Sequence, residues 1–123
     1  MNERRFKSAM KTIDNLVMGP NQEFNMRVWG TVKGCKTVAC LAGWIALRDP
    51  VAKKDGLVVD LSKAEIHFDG LLDDEALIEY FDLPHGAINY LFWPHSYTLT
   101  GGPITLSMAR QHMRDIWAEE GPE

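Results

Sequence analysis

Only two cysteines, Cys35 and Cys40, occur in the 123 residues, too few for the disulfide framework of a small secreted scaffold. Their C-x-x-x-x-C spacing is not the C-x-x-C of a structural zinc site, and no second Cys/His pair accompanies them. No secretory h-region stands near the start, and no apolar run approaches the ~20 residues of a membrane span, so the expected setting is a reducing cytoplasm with no membrane association. The one double glycine, Gly101-Gly102-Pro103, lacks the lysine and the strand context of a phosphate loop and reads as a turn. The acidic run from Asp69 to Glu75 lacks the alternate oxygen ligands and central glycine of an EF-hand loop. Repeats, linkers and low-complexity stretches are also missing, so residues 1–123 are expected to form one compact domain with a frayed acidic tail at 119–123.

What is present is an ordinary globular composition, 46% hydrophobic and 24% charged, with an uneven distribution of charge. Residues 1–54 carry ten Lys/Arg against four Asp/Glu, whereas residues 55–123 carry three against thirteen. Basic and acidic segments of this kind either face each other or are simply solvated. A functional reading gives the first half (Arg4, Arg5, Lys7, Lys11, Arg27, Lys33, Lys36) an acidic or phosphate partner and the Asp55–Asp82 stretch a basic protein. The pI near 5.5 argues against a dedicated nucleic-acid binder.

Phe6, Met10, Ile13 and Val17 recur at helical spacing, which predicts an amphipathic helix over 3–18 ended by Gly19-Pro20. Phe24, Met26 and Val28 alternate with polar residues and predict an extended segment. Residues 38–47 carry no charge, so a helix capped by Thr37 and ended by Asp49-Pro50 is expected to be buried on every side, with Ala42 and Gly43 admitting a neighbouring backbone. Val58-Val59 and Ile66/Phe68, around a loop at Ser62-Lys63, predict a hairpin over about 57–68. A helix capped by Asp73, a short one starting at Pro84, a loop from His95 to Pro103 and a last helix capped by Thr105 complete the pattern. The fold class that follows is α+β, mainly α, with four to five helices around the buried one and a small β-hairpin.

The order Phe24-Asn25-Met26, Trp29, Cys35, Thr37, Cys40, Ala42-Gly43-Trp44, then Leu83, Ala87 and Leu91-Phe92 resembles a family of small uncharacterised proteins of bacteria and their phages. The pattern of that family runs F-D/N-M, Trp, then C-G-T-x-x-C-x-A-G, and here Lys36 stands in place of its glycine. The resemblance spans most of the chain and implies a compact, mostly helical domain in a phage or phage-host setting, hence the host cytoplasm for a phage-encoded chain. It carries over no activity, cofactor or catalytic residue.

Four chemistries remain to be weighed. A thiolate is favoured at a helix N-terminus, and Lys36 would add positive charge beside Cys35, so Cys35, or less favourably Cys40, is a candidate nucleophile of a hydrolase or transferase with His95 or His67 as base. The structural alternative makes Cys40 a small core residue and Cys35 a loop thiol against Trp29. His67 and Asp69, joined by His85 or His95, are a weak metal set that a hairpin surface explains equally well. Asp73, Asp74 and Glu75 complement the dipole of the helix they open rather than forming an acid/base pair. The loop Phe92-Trp93-Pro94-His95-Ser96-Tyr97, near Trp29, offers a pocket for a planar ligand or anchors for a protein interface. The favoured reading is a non-enzymatic interaction or ligand-binding module, an inhibitor or modulator of a host protein, using Trp29, Lys36, Trp93, His95 and Tyr97, without cofactor. Its alternatives are the Cys35 enzyme and nucleic-acid binding through the basic half.

Overall fold

The computed structural model describes residues 1–98 and 101–121. Helix α1 (Glu3–Asp14) opens at Asn2, whose side chain accepts from the Arg5 amide, and it buries Phe6, Ala9 and Ile13. It ends short of the expected residue 18, and Val17 is 80% exposed. Asn15 caps the helix by donating its amide to the Lys11 and Ile13 carbonyls, and from far along the chain the Arg110 guanidinium donates to the carbonyls of Ile13 (2.9 Å), in the last turn, and Leu16 (2.8 Å), just beyond it, while Leu16, not Val17, enters the core.

Strands β1 (Gln22–Phe24), β2 (Gly30–Lys33) and β3 (Lys36–Ala39) form a sheet with β3 central, parallel to β1 and antiparallel to β2. The predicted extended segment stops at Phe24, because the Asn25 side chain accepts from the Arg27 amide and turns the chain. The uncharged run divides at Cys40. Its first part is β3, and only Leu41–Arg48 is helix (α2). Thr37 is therefore not a helix cap: its amide donates to Asn21 in the ladder, and the β-branched pair Thr37-Val38 suits a strand held on both sides. The central position of the helix is as expected, since Leu41 through Ala46 are all buried and the Trp44 indole N–H reaches the Glu23 carbonyl of β1 at 3.1 Å.

Asp49 ends α2 and caps a further helix, α3 (Pro50–Asp55), by accepting from the Val51 amide. Its fully buried carboxylate also accepts from Ser8 Oγ (2.6 Å) and Thr12 Oγ1 (3.3 Å) of α1, so one side chain joins three helices. Strands β4 (Val58–Asp60) and β5 (Glu65–Phe68) make the predicted hairpin, extended by the short β6 (Leu71–Leu72) into a second three-stranded sheet. In α4 (Asp73–Phe81), Leu72 occupies the cap position, and the Asp73 carboxylate instead accepts from the Ile66 amide of β5 at 2.9 Å. Pro84 precedes α5 (His85–Phe92) as its cap, and Thr105 caps α6 (Leu106–Glu120) through the Met108 amide.

The fold is α+β, with six α-helices among the described residues where four to five are expected. Pro94–Ser96 forms a single 3-10 turn inside the predicted loop, of which Leu99 and Thr100 lie outside the described residues. Of the expected tail, Glu119 and Glu120 are the last residues of α6, and Pro122 and Glu123 lie outside the described residues. One apolar cluster runs through the helices, with Phe6 edge-on to Phe81 at 5.6 Å and Phe81 stacked on Phe92 at 6.1 Å. The oppositely charged halves meet where Arg4 (2.6 Å) and Arg5 (3.0 Å) hold Asp55, and a pair of the reverse sense joins Arg114 of the acidic half to Asp14 of the basic one (3.4 Å). No helix among the described residues is long and apolar enough to cross a membrane.

Candidate binding cleft

Trp29 closes the connection between β1 and β2, and its main chain is fixed from below. A Cβ at Gly43 of α2 would run into the Trp29 carbonyl oxygen, and the Cys40 thiol donates to that same oxygen at 3.7 Å. The small residue expected to admit a close backbone thus does so, and the backbone it admits is that of Trp29. Trp93 follows the last residue of α5. Its amide donates to the Asn89 carbonyl at 3.1 Å, and the next turn is clamped by Ser96 Oγ, within 2.7–2.9 Å of the carbonyls of Trp93, Asn89 and Tyr90.

These two elements bring Trp29 and Trp93 onto a pair of depressions that share both indoles. The first, of about 230 Å³, is lined by Met26, Arg27 and Val28 beside Trp29, by Phe92 and Pro94 beside Trp93, and by Ala64 from the β4–β5 turn. The second, of about 510 Å³, is bordered by the Gly70–Glu75 segment, which spans β6 and the first turn of α4. Trp93 is 39% exposed, and its indole N–H lies 2.9 Å from each carboxylate oxygen of Asp74. An indole that would otherwise swing freely is thereby tethered while the residue stays partly exposed.

Charge differs between the two depressions. Arg27 borders the first and donates to the Gly101 carbonyl at 3.1 Å. Asp73, Asp74 and Glu75 border the second. Asp73 is spent on the Ile66 amide and Asp74 on Trp93, with His85 Nε2 at 4.0 Å, whereas Glu75 is exposed and makes no ion pair among the described residues.

Of the residues singled out from the sequence, Trp29 and Trp93 meet in the cleft. His95 is exposed beside it, its ring 5.8 Å from that of Trp93. Tyr97 turns the other way: its hydroxyl donates to the Leu91 carbonyl at 2.6 Å and its ring stacks on His112 at 3.7 Å. Burial raises the Tyr97 phenol above its ordinary range. Tyr90 covers the other side of the arrangement, stacked on His112 at 4.0 Å and donating to Asp115 at 2.7 Å, a bond that pushes its own phenol to about 12 and lowers the Asp115 carboxyl. Lys36 lies on β3, exposed and 3.6 Å from Glu23, and does not line the cleft. The left-handed residue of its turn is Gly34 (φ 62°), so Lys36 stands where no glycine is required.

The nucleophile reading loses its premise. Cys35 is exposed in the turn between β2 and β3 rather than at a helix N-terminus, and among the described residues it makes no hydrogen bond to a histidine. Cys40 does precede a helix, but burial pushes its thiol up to about 11, the reverse of an activated thiolate. His67 lies 3.5 Å from Glu65, and no three His, Cys, Asp or Glu side chains come together as a metal site among the described residues.

Sequence reasoning missed Asp74 as the group that orients Trp93, because acidic residues in a first turn are already accounted for by the helix dipole. It missed the Tyr90–His112–Tyr97 stack because no local pattern ties α5 to α6. No family model matches the chain, and neither does any curated protein or solved structure.

Proposed function

We propose that the chain is a small accessory protein of a bacterium or its phage that works as a non-enzymatic binding module in the cytoplasm, modulating a host protein gripped in the Trp29–Trp93 cleft. The observation that carries this reading is the pair of indoles, far apart in sequence, converging on adjoining depressions with Trp93 kept partly exposed and fixed by Asp74. Indoles set in a partly apolar cleft are the side chains that dominate binding energy at protein interfaces. Nucleic-acid binding through the basic half draws less support, because Arg4 and Arg5 are both spent on Asp55.

The test is capture from host lysate followed by titration of the captured protein in pure form. Trp93→Ala, at a position whose side chain reaches solvent, is expected to weaken binding at least about tenfold with an unchanged melting temperature. Equal affinity of the variant and the parent refutes the cleft.

A further inference from the structure

Resting on that reading, we propose that the occupant of the cleft is a basic peptide segment of the partner, with an apolar side chain in the first depression and a neighbouring lysine or arginine in the second. The first depression is lined largely by Met26, Val28, Phe92 and Pro94, and its volume of about 230 Å³ suits a side chain rather than a folded surface. The second pairs two indoles with carboxylates. An ammonium or guanidinium placed there is bordered by two tryptophans and by the carboxylates of Asp74 and Glu75, so cation–π attraction and charge act together.

Three observations fix the sign of the occupant. Glu75 is exposed and makes no ion pair among the described residues, so its charge is available to a newcomer. Among the described residues, the one basic group that pairs with Asp74 is His85, at 4.0 Å and charged only when protonated. Leu72 is 44% exposed beside these carboxylates, and apolar surface set among acidic groups matches the aliphatic stem of a long basic side chain. A phosphate-bearing ligand, a nucleotide included, would meet the same carboxylates with repulsion. Arg27 gives the cleft a direction, since it borders the apolar depression and not the acidic one. The basic residue therefore lies toward α4, and an acidic residue of the peptide, where present, lies toward Arg27.

The experiment is selection of a random dodecapeptide library on the immobilised full chain, followed by fluorescence anisotropy of the labelled winners, with ATP and a single-stranded oligonucleotide as further probes. Enrichment of Lys or Arg next to an aliphatic or aromatic residue is expected, with binding that weakens as salt rises. Glu75→Lys, at an exposed position in the first turn of α4, is expected to weaken the winners about tenfold while the circular dichroism stays unchanged and the melting temperature falls only by the few degrees that a reversed charge at a helix start costs. Winners that depend on Trp93 but are neutral or acidic, or are indifferent to Glu75→Lys, overturn the basic occupant and leave the cleft as a binding site. ATP or the oligonucleotide binding in place of peptides overturns it as well. No winner sensitive to Trp93→Ala overturns both this inference and the reading it rests on.

Discussion

Substituting alanine for glycine in a helix normally stabilises it by up to about 1 kcal/mol, because alanine loses less backbone entropy on folding. In this chain the sign is expected to depend on which helix receives the methyl group. At Gly86, in the first turn of α5, a Cβ meets nothing within 4 Å, so Gly86→Ala should yield a few tenths to about 1 kcal/mol of stability. At Gly43 the same atom would strike the Trp29 carbonyl and approach the Ala39 Cβ at 2.8 Å. Backbone cannot rotate away as a flexible side-chain tip can, so α2 and the start of β2 must separate, at a cost of about 1–3 kcal/mol for overpacking. A clash with a backbone atom belongs in the upper part of that range, about 2–3 kcal/mol, so subtracting a helix gain of about 1 kcal/mol leaves Gly43→Ala destabilised by about 1–2 kcal/mol, a drop in melting temperature of roughly 3–10 °C. Urea unfolding with an unchanged m-value reads both variants on one scale. If Gly43→Ala is as stable as the parent, or gains stability in parallel with Gly86→Ala, the close contact between α2 and Trp29 is wrong.

The remaining predictions concern charges and thiols. A disulfide reagent at pH 8 should label Cys35 in the native protein and Cys40 only on unfolding; prompt labelling of both would refute the burial of Cys40. Because burial holds the Cys40 thiol near 11 while an exposed thiol ionises near 9.0, the unfolded chain releases this proton first, and stability should decline as pH rises through that window and should decline less in Cys40→Ala. Asp49→Ala strips the acceptor from Ser8, Thr12 and the Val51 amide together and should cost about 3 kcal/mol by denaturant titration; a loss near zero would show that the three helices do not depend on it. Hydrogen bonds from Arg5 and then Arg4 lower the Asp55 carboxyl, so its contribution is present above the usual carboxylate range and disappears as pH falls through the lowered value; Asp55→Asn should flatten the acid limb of the stability curve, and an unaltered limb would count against the pairing.

Elements carrying their own punctuation are legible in the sequence. The hairpin is bounded by turn residues and built from β-branched pairs, and α6 follows a threonine whose hydroxyl has one obvious use. The division of the run from Val38 to Leu47 is not legible, because a short apolar stretch has the same pattern as strand or as buried helix. Pairing with β1 and β2 decides it, and that information lies in residues 22–33. Asp49 is readable as a helix stop, yet its larger role depends on Ser8 and Thr12, which signal nothing by themselves. The cleft is half legible for a similar reason. Tryptophans draw attention wherever they stand, but the carboxylate that aims Trp93 is hidden in an ordinary acidic first turn, and Tyr97 reads as exposed until His112 is known to lie on it.

The grip of Arg110 on Ile13 and Leu16 has a consequence for how the molecule is made. Its two hydrogen bonds join residues 97 and 94 positions apart, so the end of α1 is completed by a side chain synthesised long after the helix itself. At translation speeds of about 5–20 residues per second, that interval is roughly 5–20 s. Phe6 waits in the same way for Phe81 and Trp117, against which its ring packs at 5.6 and 6.1 Å. During the interval the apolar face of α1 is open to chaperones and to the neighbouring nascent chains of a polysome, and native packing of α1 waits for α6.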